Sequence, residues 1–478
     1  MSDPIPSDSP MTSPTRTLAD QAFSRAAGAP LISGNRVRLL RDARENYPAW
    51  LEAIAAARHH VHFENYIFRE DATGDIFAEA LMSCARSGVS VRVIYDWLGG
   101  VGRTSRSFWT RLRAAGVEVR CYNPPSLDAP FGWLSRDHRK LLVVDGEVGF
   151  VAGLCIAQMW SGQPEKNIEP WRDTGIEVRG PAVAEIERAF AQVWAMMGKP
   201  IPHFSPNPII AEPDGGVSLR IVAKVPATAG MFRVDQLVAG LARERVWLTD
   251  AYFAGTSTYV LALNAAARDG VDVRLLVPGA TDIPVLRAMS RAGYRSLLEA
   301  GVRVFEWNGT MLHAKTAVAD GRWARVGSTN LNLASWLGNC ELDAVIEDEA
   351  FAREMEAAYL EDLTNATEIV LNAKRKIRAP QQLSPTSKRL SRRGTGSAGR
   401  AAAGALRVGN AISASFSNRR TMEPVEARLM AIAGVTLLLL GSLFAFFPKV
   451  LAYPAVALLG WISLTLLRRA YKIRRRRK

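Results

Sequence analysis

His138, Lys140 and Asp145 stand in the order H-x-K-x4-D, and His313, Lys315 and Asp320 repeat that order later in the chain. An imidazole, an ammonium group and a carboxylate in each copy suit phosphodiester chemistry. That chemistry needs a nucleophile, a proton donor for the leaving alkoxide, and positive charge on the non-bridging oxygens. Histidine serves as nucleophile or acid near neutral pH. Lysine supplies fixed positive charge to a pentacoordinate transition state. An aspartate can hold an imidazole in one tautomer. Ser328 and Asn330, just after Gly327, are compact donors for the same oxygens. Two histidines on opposite sides of phosphorus allow in-line attack and departure without a divalent metal. The chain shows no zinc-ligand spacing and no phosphate-cradling Gly-rich loop ending in Lys-Ser/Thr, so neither metal nor cofactor is expected.

The repeat is longer than the motif. Gly88-Val89-Ser90-Val91-Arg92 resembles Gly270-Val271-Asp272-Val273-Arg274, and Ala115-Gly116-Val117 resembles Ala300-Gly301-Val302. The order is kept and the period is far too long for a solenoid, so a whole domain is duplicated. Short apolar or alternating runs predict strands over Val61–Phe68, Ser90–Tyr95, Val117–Tyr122, Lys140–Val144 and Val148–Ala152. The second half predicts strands over Val246–Ala251, Val271–Val277, Val302–Trp307, Thr316–Ala319 and Trp323–Val326. Helical patterns lie between, as at Ile76–Arg86 and Ser107–Ala115. Alternating strands and helices predict an α/β fold with a mixed sheet. In each copy His and Lys sit at i and i+2, on one face of a strand. Each Asp precedes a Gly, which predicts a tight turn.

These residues carry a resemblance. The paired motifs resemble the phospholipase D superfamily. More narrowly, Glu64-Asn65-Tyr66-Ile67-Phe68, Trp171-Arg172-Asp173-Thr174 and Asn339-Cys340-Glu341 resemble its bacterial cardiolipin synthases, over about residues 35 to 365. The resemblance implies two homologous α/β lobes around one shared site, and a phosphohistidine intermediate. It implies His138 as nucleophile and His313 as acid and base. Lys140, Lys315, Gly327, Ser328 and Asn330 would hold the phosphate, and Asp145 and Asp320 would support the histidines. Cys155 departs from the family's Asn in the first copy, and a thiol is a poorer donor than an amide.

Beyond the motifs, Glu64, Asp173, Asn339 and Glu341 are candidates for supporting the site. His59, His60, His62 and His203 lie in no repeated motif and read as ordinary polar groups. Trp133, Trp160, Trp171 and Trp336 suit an acyl groove or the core, with core packing favoured for at least half of them.

At the C-terminus, Leu429–Phe447 and Val450–Leu467 are uncharged apolar runs of minimal bilayer length, separated by Pro448-Lys449. They predict a transmembrane helical hairpin. The chain is +14, yet residues 374–420 hold twelve Lys or Arg without an acid, and 468–478 hold eight more. The rest is therefore net acidic, and the positive charge is concentrated beside the apolar spans. Polybasic runs there attract anionic lipid. The same charge would suit nucleic acid elsewhere, but none is expected here. The positive-inside rule places both termini and the catalytic lobes in the cytoplasm, at the cell (inner) membrane, since the N-terminus shows no signal peptide. Four cysteines without framework spacing fit reduced thiols.

The expected organisation is a disordered lead-in at 1–34, a first lobe at 35–205 and a second at 215–370, joined by the Pro-rich stretch 200–213. A basic linker at 374–424, a two-helix anchor at 428–467 and a basic tail at 468–478 follow. The expected activity is phosphatidyl transfer joining two phosphatidylglycerols into cardiolipin and glycerol. The alternatives are phospholipase D hydrolysis or transfer from phosphatidylethanolamine, a nuclease or other phosphodiesterase, and a non-catalytic lipid-binding scaffold. Nothing in the residues specifies an oligomeric state.

Overall fold

Lys140–Val144 and Val148–Ala152 are buried at every position, as strands are when both faces of their sheet are covered. Between them Asp145 and Gly146 take φ of +55° and +70°, and Glu147 N–H closes the turn on Val144 O at 3.0 Å. That backbone demands the left-handed region twice, which Asp-Gly supplies. Asp320 and Gly321 repeat it at +50° and +62°.

The computed structural model describes residues 14–126, 134–202, 204, 216–371 and 377–378, with scattered positions between 435 and 464. The first half supplies β1 (Ile32–Arg41), β2 (His60–Asn65), β3 (Ser90–Asp96), β4 (Glu118–Tyr122), β5 (Lys140–Val144), β6 (Val148–Ala152) and β7 (Thr174–Arg179). The second supplies β8 (Val217–Lys224), β9 (Arg245–Thr249), β10 (Asp272–Pro278), β11 (Arg303–Trp307), β12 (Thr316–Ala319), β13 (Trp323–Gly327) and β14 (Glu341–Glu347), then β15 (Ala366–Leu371) and β16 (Ile377–Arg378). They form one mixed sheet, ordered β16-β15-β11-β10-β9-β12-β13-β14-β8-β1-β7-β6-β5-β2-β3-β4. Read outward from the β1–β8 pair, the halves have the same order: 1-7-6-5-2-3-4 against 8-14-13-12-9-10-11. The duplication seen in the residues is thus a duplication of topology.

Helices cover the sheet through apolar stripes. Val183–Met196 buries Val183, Ile186, Phe190, Val193 and Trp194, at helical spacing. Glu349–Thr364 buries Phe351, Ala352, Met355 and Tyr359 in the same way. Each half has its own core. One gathers Trp50, Phe63, Phe77 and Phe150, with Trp50 edge-on to the other three rings. The other gathers Val234, Leu263, Leu275 and Val304.

The lead-in expectation is corrected over 14–34, while residues 1–13 lie outside the described residues. Residues 14–27 form a helix and β1 begins at Ile32. Ala26 and Ala27 are buried in the second half's core, with Phe23 packed against it, so this segment has apolar surface to bury. Residues 205–215 of the inter-lobe stretch lie outside the described residues, as do 379–434 and 465–478. Among the described residues no helix is long and apolar enough to cross a membrane. The expected hairpin at 428–467 falls largely outside them.

Candidate active site

Each motif histidine precedes a strand of its own half and is held by the opposite half. His138 N–H donates to Cys340 O at 2.9 Å, beside a bridge between Asp137 and Cys340. His313 N–H donates to Arg172 O at 2.7 Å, beside a bridge between Arg172 and Leu312. These two crossings bring both imidazoles and both lysines to one centre.

The rings are held alike. His138 Nδ1 lies 3.0 Å from Glu341 Oε2 and 3.1 Å from Ser328 O. His313 Nδ1 lies 2.7 Å from Asp173 Oδ2. An ionised carboxylate only accepts, so each Nδ1 carries the proton and each Nε2 keeps its lone pair. Burial alone would raise the carboxyls. The His138 ring and Lys140 outweigh it for Glu341, and the His313 ring and Lys315 for Asp173, holding both at about 2. Burial lowers His138 despite Glu341. Burial, then the Lys315 charge, pushes His313 down to about 3. Both imidazoles are therefore neutral bases at neutral pH. Burial also brings Lys315 down to about 8, with Asp173 opposing and Lys140 adding like charge.

Each lysine reaches back to the carbonyl of its own motif histidine. Lys315 Nζ also lies 2.9 Å from His313 Nδ1, a contact of like polarity and not a hydrogen bond, because the Nδ1 proton is given to Asp173 at the shorter distance of 2.7 Å. Between His138 and Lys140, Arg139 is buried on the opposite face. It donates to Ala189 O at 2.7 Å, Lys224 O at 2.8 Å and Glu341 O at 3.2 Å. The second motif has only Ala314 there.

The supporting residues divide. Asp173 and Glu341 hold the rings directly. Asn339 Nδ2 donates to Glu341 Oε1 at 3.2 Å. Glu64 is buried against Asp137; burial, then that second carboxyl, raises it well above the usual range. Asn330 is buried, and its Oδ1 has no hydrogen-bond partner among the described residues. Cys155 is buried and its carbonyl accepts from Tyr47 O–H.

Two expectations are corrected. Asp145 and Asp320 do not support the rings. Asp145 accepts from the N–H of Arg58, His59 and His60, each at 2.8 Å, and Asp320 from those of Arg243, Glu244 and Arg245, each at 2.9 Å. They sit at the far ends of β5 and β12, about 16 Å along the strand from the motif's start in β5. They clamp the chain entering β2 and β9. Ser328 is not a spare donor either. Its single O–H proton goes to Glu341 Oε2 at 2.6 Å, and its oxygen accepts from Leu342 N–H at 2.9 Å. Gly327 serves close packing: a Cβ there would lie 2.4 Å from Asp343 Oδ1, and its N–H goes to Lys315 O at 3.3 Å.

The sequence reading missed the tyrosines beside the rings. Tyr66 lies edge-on to His138 with centroids 5.0 Å apart, and Tyr252 edge-on to His313 at 5.9 Å. Tyr66 directly follows β2 and Tyr252 comes three residues after the end of β9, the equivalent strand of the other half, a signal the repeat contained. Trp160 and Trp171 pack on His313 at 5.2 and 5.7 Å, whereas Trp336 is core; Trp133 lies outside the described residues.

The arrangement offers two neutral imidazoles, each aimed by a buried carboxylate and each with its motif's ammonium group beside it. It suits in-line displacement at a phosphodiester. Comparisons agree. A family model described as "Cardiolipin synthase, PLD-like domain" matches residues 50–194 and 239–363. The chain is 36% identical over 371 residues to cardiolipin synthase A of Pseudomonas aeruginosa, covering 76% of this chain and 74% of that protein. It is 33% identical over 347 residues to the cardiolipin synthase of Alkalihalophilus pseudofirmus, covering 71% and 68%. The crystal structure of phosphatidylserine synthase from Haemophilus influenzae shares the fold, with TM-score 0.56 and 15% identity over 73% of this chain and 91% of that one.

Proposed function

Because this chain belongs to the cardiolipin synthase family with phospholipase D-like domains, we propose that it joins two phosphatidylglycerols into cardiolipin and glycerol, with the phosphatidyl group carried in between on His138. The observation that carries this reading is the pair of imidazoles, each pinned through Nδ1 by a carboxylate of the opposite half. Each therefore presents Nε2 to one substrate.

In the first step His138 Nε2 attacks phosphorus and the bond to the glycerol oxygen breaks. His313 gives its proton to that oxygen, and glycerol leaves. In the second step His313 takes the proton from a hydroxyl of the second phosphatidylglycerol. The new oxygen–phosphorus bond forms as the phosphorus–nitrogen bond breaks. Lys140 and Lys315 hold the non-bridging oxygens, with Asn330 as a further donor. The order of the histidines follows the family resemblance. The resting His313 has no proton on Nε2, so one is taken up from solvent as the substrate binds: the arriving phosphate anion draws the Lys315 charge away, which lifts the ring's basicity and lets it hold the proton that the first step spends and the second step restores.

The C-terminal hairpin, 428–467, is the proposed membrane anchor, with the catalytic lobes and both termini on the cytoplasmic face of the cell membrane. Support comes from its composition, its basic flanks, and exposed apolar side chains at described positions, Leu438 at 72% and Phe446 at 80%. A chain lacking 374–478 is expected to lose most turnover on vesicles but keep it in mixed micelles.

The direct test is purified protein in phosphatidylglycerol vesicles with EDTA, the lipid products separated by mass. Cardiolipin with glycerol is expected. Phosphatidic acid in place of cardiolipin would make the protein a hydrolase, and unchanged lipid would remove the reading.

A further inference from the structure

His60, His62 and Glu187 converge away from the catalytic centre. His60 and His62 share one face of β2, as residues i and i+2 do. Glu187 comes down on that face from the helix Val183–Met196. His60 Nε2 lies 2.6 Å and His62 Nδ1 3.1 Å from the same Glu187 oxygen, and all three atoms lie within 4.8 Å of one another. His62 and Glu187 side chains are 3% exposed and His60 23%. The His62 Nδ1 is buried without a hydrogen bond, although it faces the carboxylate. Phe190 lies flat on the His62 ring, centroids 4.6 Å apart and 6° from parallel, which fixes its direction.

We propose that His60, His62 and Glu187 form a zinc site that clamps the Val183–Met196 helix to β2. Zinc bonds imidazole nitrogen and carboxylate oxygen at about 2.0–2.1 Å in a tetrahedron, which sets its ligand atoms about 3.3 Å apart. Two of the three separations, 2.6 and 3.1 Å, are already close to that spacing and the third is within 4.8 Å, so modest rotations of the side chains admit the ion. Two imidazoles with one carboxylate favour zinc over magnesium or calcium, which prefer all-oxygen sets. The fourth position would fall to water, admitted from the side of His60, the most exposed of the three ligands. Arg92 Nη1 lies 3.4 Å from the far nitrogen of His62, and Arg92 Nη2 pairs with Glu118 at 2.9 Å. With zinc on Nδ1 the far nitrogen carries the proton, and Arg92 turns fully to Glu118.

The site is structural. His62 stands three residues before Asn65, the register partner of Lys140, so it lies about 10 Å along the strand from the catalytic end. The clamped helix also provides Ala189 O, which anchors Arg139 between His138 and Lys140. Zinc would stiffen the support of the first motif without entering the reaction, which leaves turnover in EDTA open below the melting temperature of the metal-free protein.

The test uses the full chain in detergent, stripped with chelator and titrated with Zn2+ or Co2+. Expected are one equivalent bound, the visible absorption of tetrahedral Co2+, and a Tm rise with Zn2+ that EDTA reverses. Glu187→Gln and His60→Gln should abolish the absorption and the rise. His59→Gln, next door on the surface, and His138→Ala, in the catalytic centre, should keep both. His60 is the most exposed ligand, so its variant keeps the proposal testable if Glu187→Gln misfolds. Absence of tetrahedral Co2+ absorption in the unaltered protein, or an equal Zn2+ response in His60→Gln and His59→Gln, would overturn the site.

Discussion

The two halves hold their histidines with the same bond and different support. In the half that supplies Glu341, the carboxylate is braced by Ser328 O–H and Asn339, and the next residue's N–H returns to the serine oxygen. In the half that supplies Asp173, the serine's place is taken by Gly153, and the carboxylate is braced by Trp160 Nε1 and by Thr174 N–H, each at 2.9 Å. A Cβ at position 153 would lie 2.1 Å from Asp173 Oδ1. The shorter acid thus occupies the space that the longer acid's half gives to a serine side chain. The lesson is that duplication conserved the carboxylate-to-imidazole contact and let the second layer diverge. Because each carboxylate serves the other half's ring, neither half makes a site alone.

The largest effect should come from removing either ring. His138→Ala and His313→Ala are each expected to lower cardiolipin formation by about 10^3–10^4-fold, as loss of a nucleophile or proton carrier does. Full turnover in either variant would break the two-ring scheme.

Next come the carboxylates, where the halves should separate. Glu341→Gln and Asp173→Asn are each expected to cost about 10^2–10^4-fold, because an amide in place of the carboxylate lets the imidazole take the wrong tautomer. In rapid-quench kinetics Glu341→Gln should slow the first release of glycerol, and Asp173→Asn the proton transfers of both steps. Gly153→Ser, which copies the second half's serine into the first, should be about as damaging as Asp173→Asn, because it displaces that acid. A harmless Gly153→Ser would show that the two supports are interchangeable.

Two pH measurements sharpen the picture. With Lys315 at about 8, kcat/KM should fall as pH rises through 8, where that ammonium loses its proton. His313 is pushed from 6.5 to about 3, so between those values the unfolded chain binds a proton that the folded site refuses. Stability should therefore drop as pH falls from 6.5 toward 3, and His313→Gln should remove part of that drop in chemical denaturation.

The smallest effect on turnover should come from the motif aspartates. Asp145→Asn and Asp320→Asn each weaken three backbone hydrogen bonds to a carboxylate, so each should cost about 1–3 kcal/mol of stability. Their kcat should stay within about twofold at temperatures where they remain folded. A large kcat loss without a Tm change would return them to the catalytic role that the motif suggests.

Much of this was legible in the residues. Strands Lys140–Val144, Val148–Ala152 and Thr316–Ala319 matched the predicted bounds, because fully buried runs and Asp-Gly turns leave strong local signals. β1, β7, β8 and β14 were not foreseen. They carry polar residues such as Glu177 and Arg220, which pair with Arg38 and Glu347 on the neighbouring strands, so their pattern has little local explanation. The paired His and Lys were legible through repetition, and Asp173 and Glu341 through the family's short motifs. The true work of Asp145 and Asp320 was not, since their partners at 58–60 and 243–245 are remote in sequence. The His60–His62–Glu187 cluster was hidden for the same reason: its third member comes from a helix more than a hundred residues away.

The division of labour between the rings is tested most directly by trapping the intermediate. Headgroup- and phosphate-labelled phosphatidylglycerol would be given to His313→Ala and to His138→Ala, each quenched within a turnover, and peptides mapped by mass. Expected are a phosphatidyl adduct on the His138 peptide in His313→Ala, formed with release of one glycerol, and no adduct in His138→Ala. An adduct on the His313 peptide in His138→Ala, with none on His138 in His313→Ala, would contradict that division.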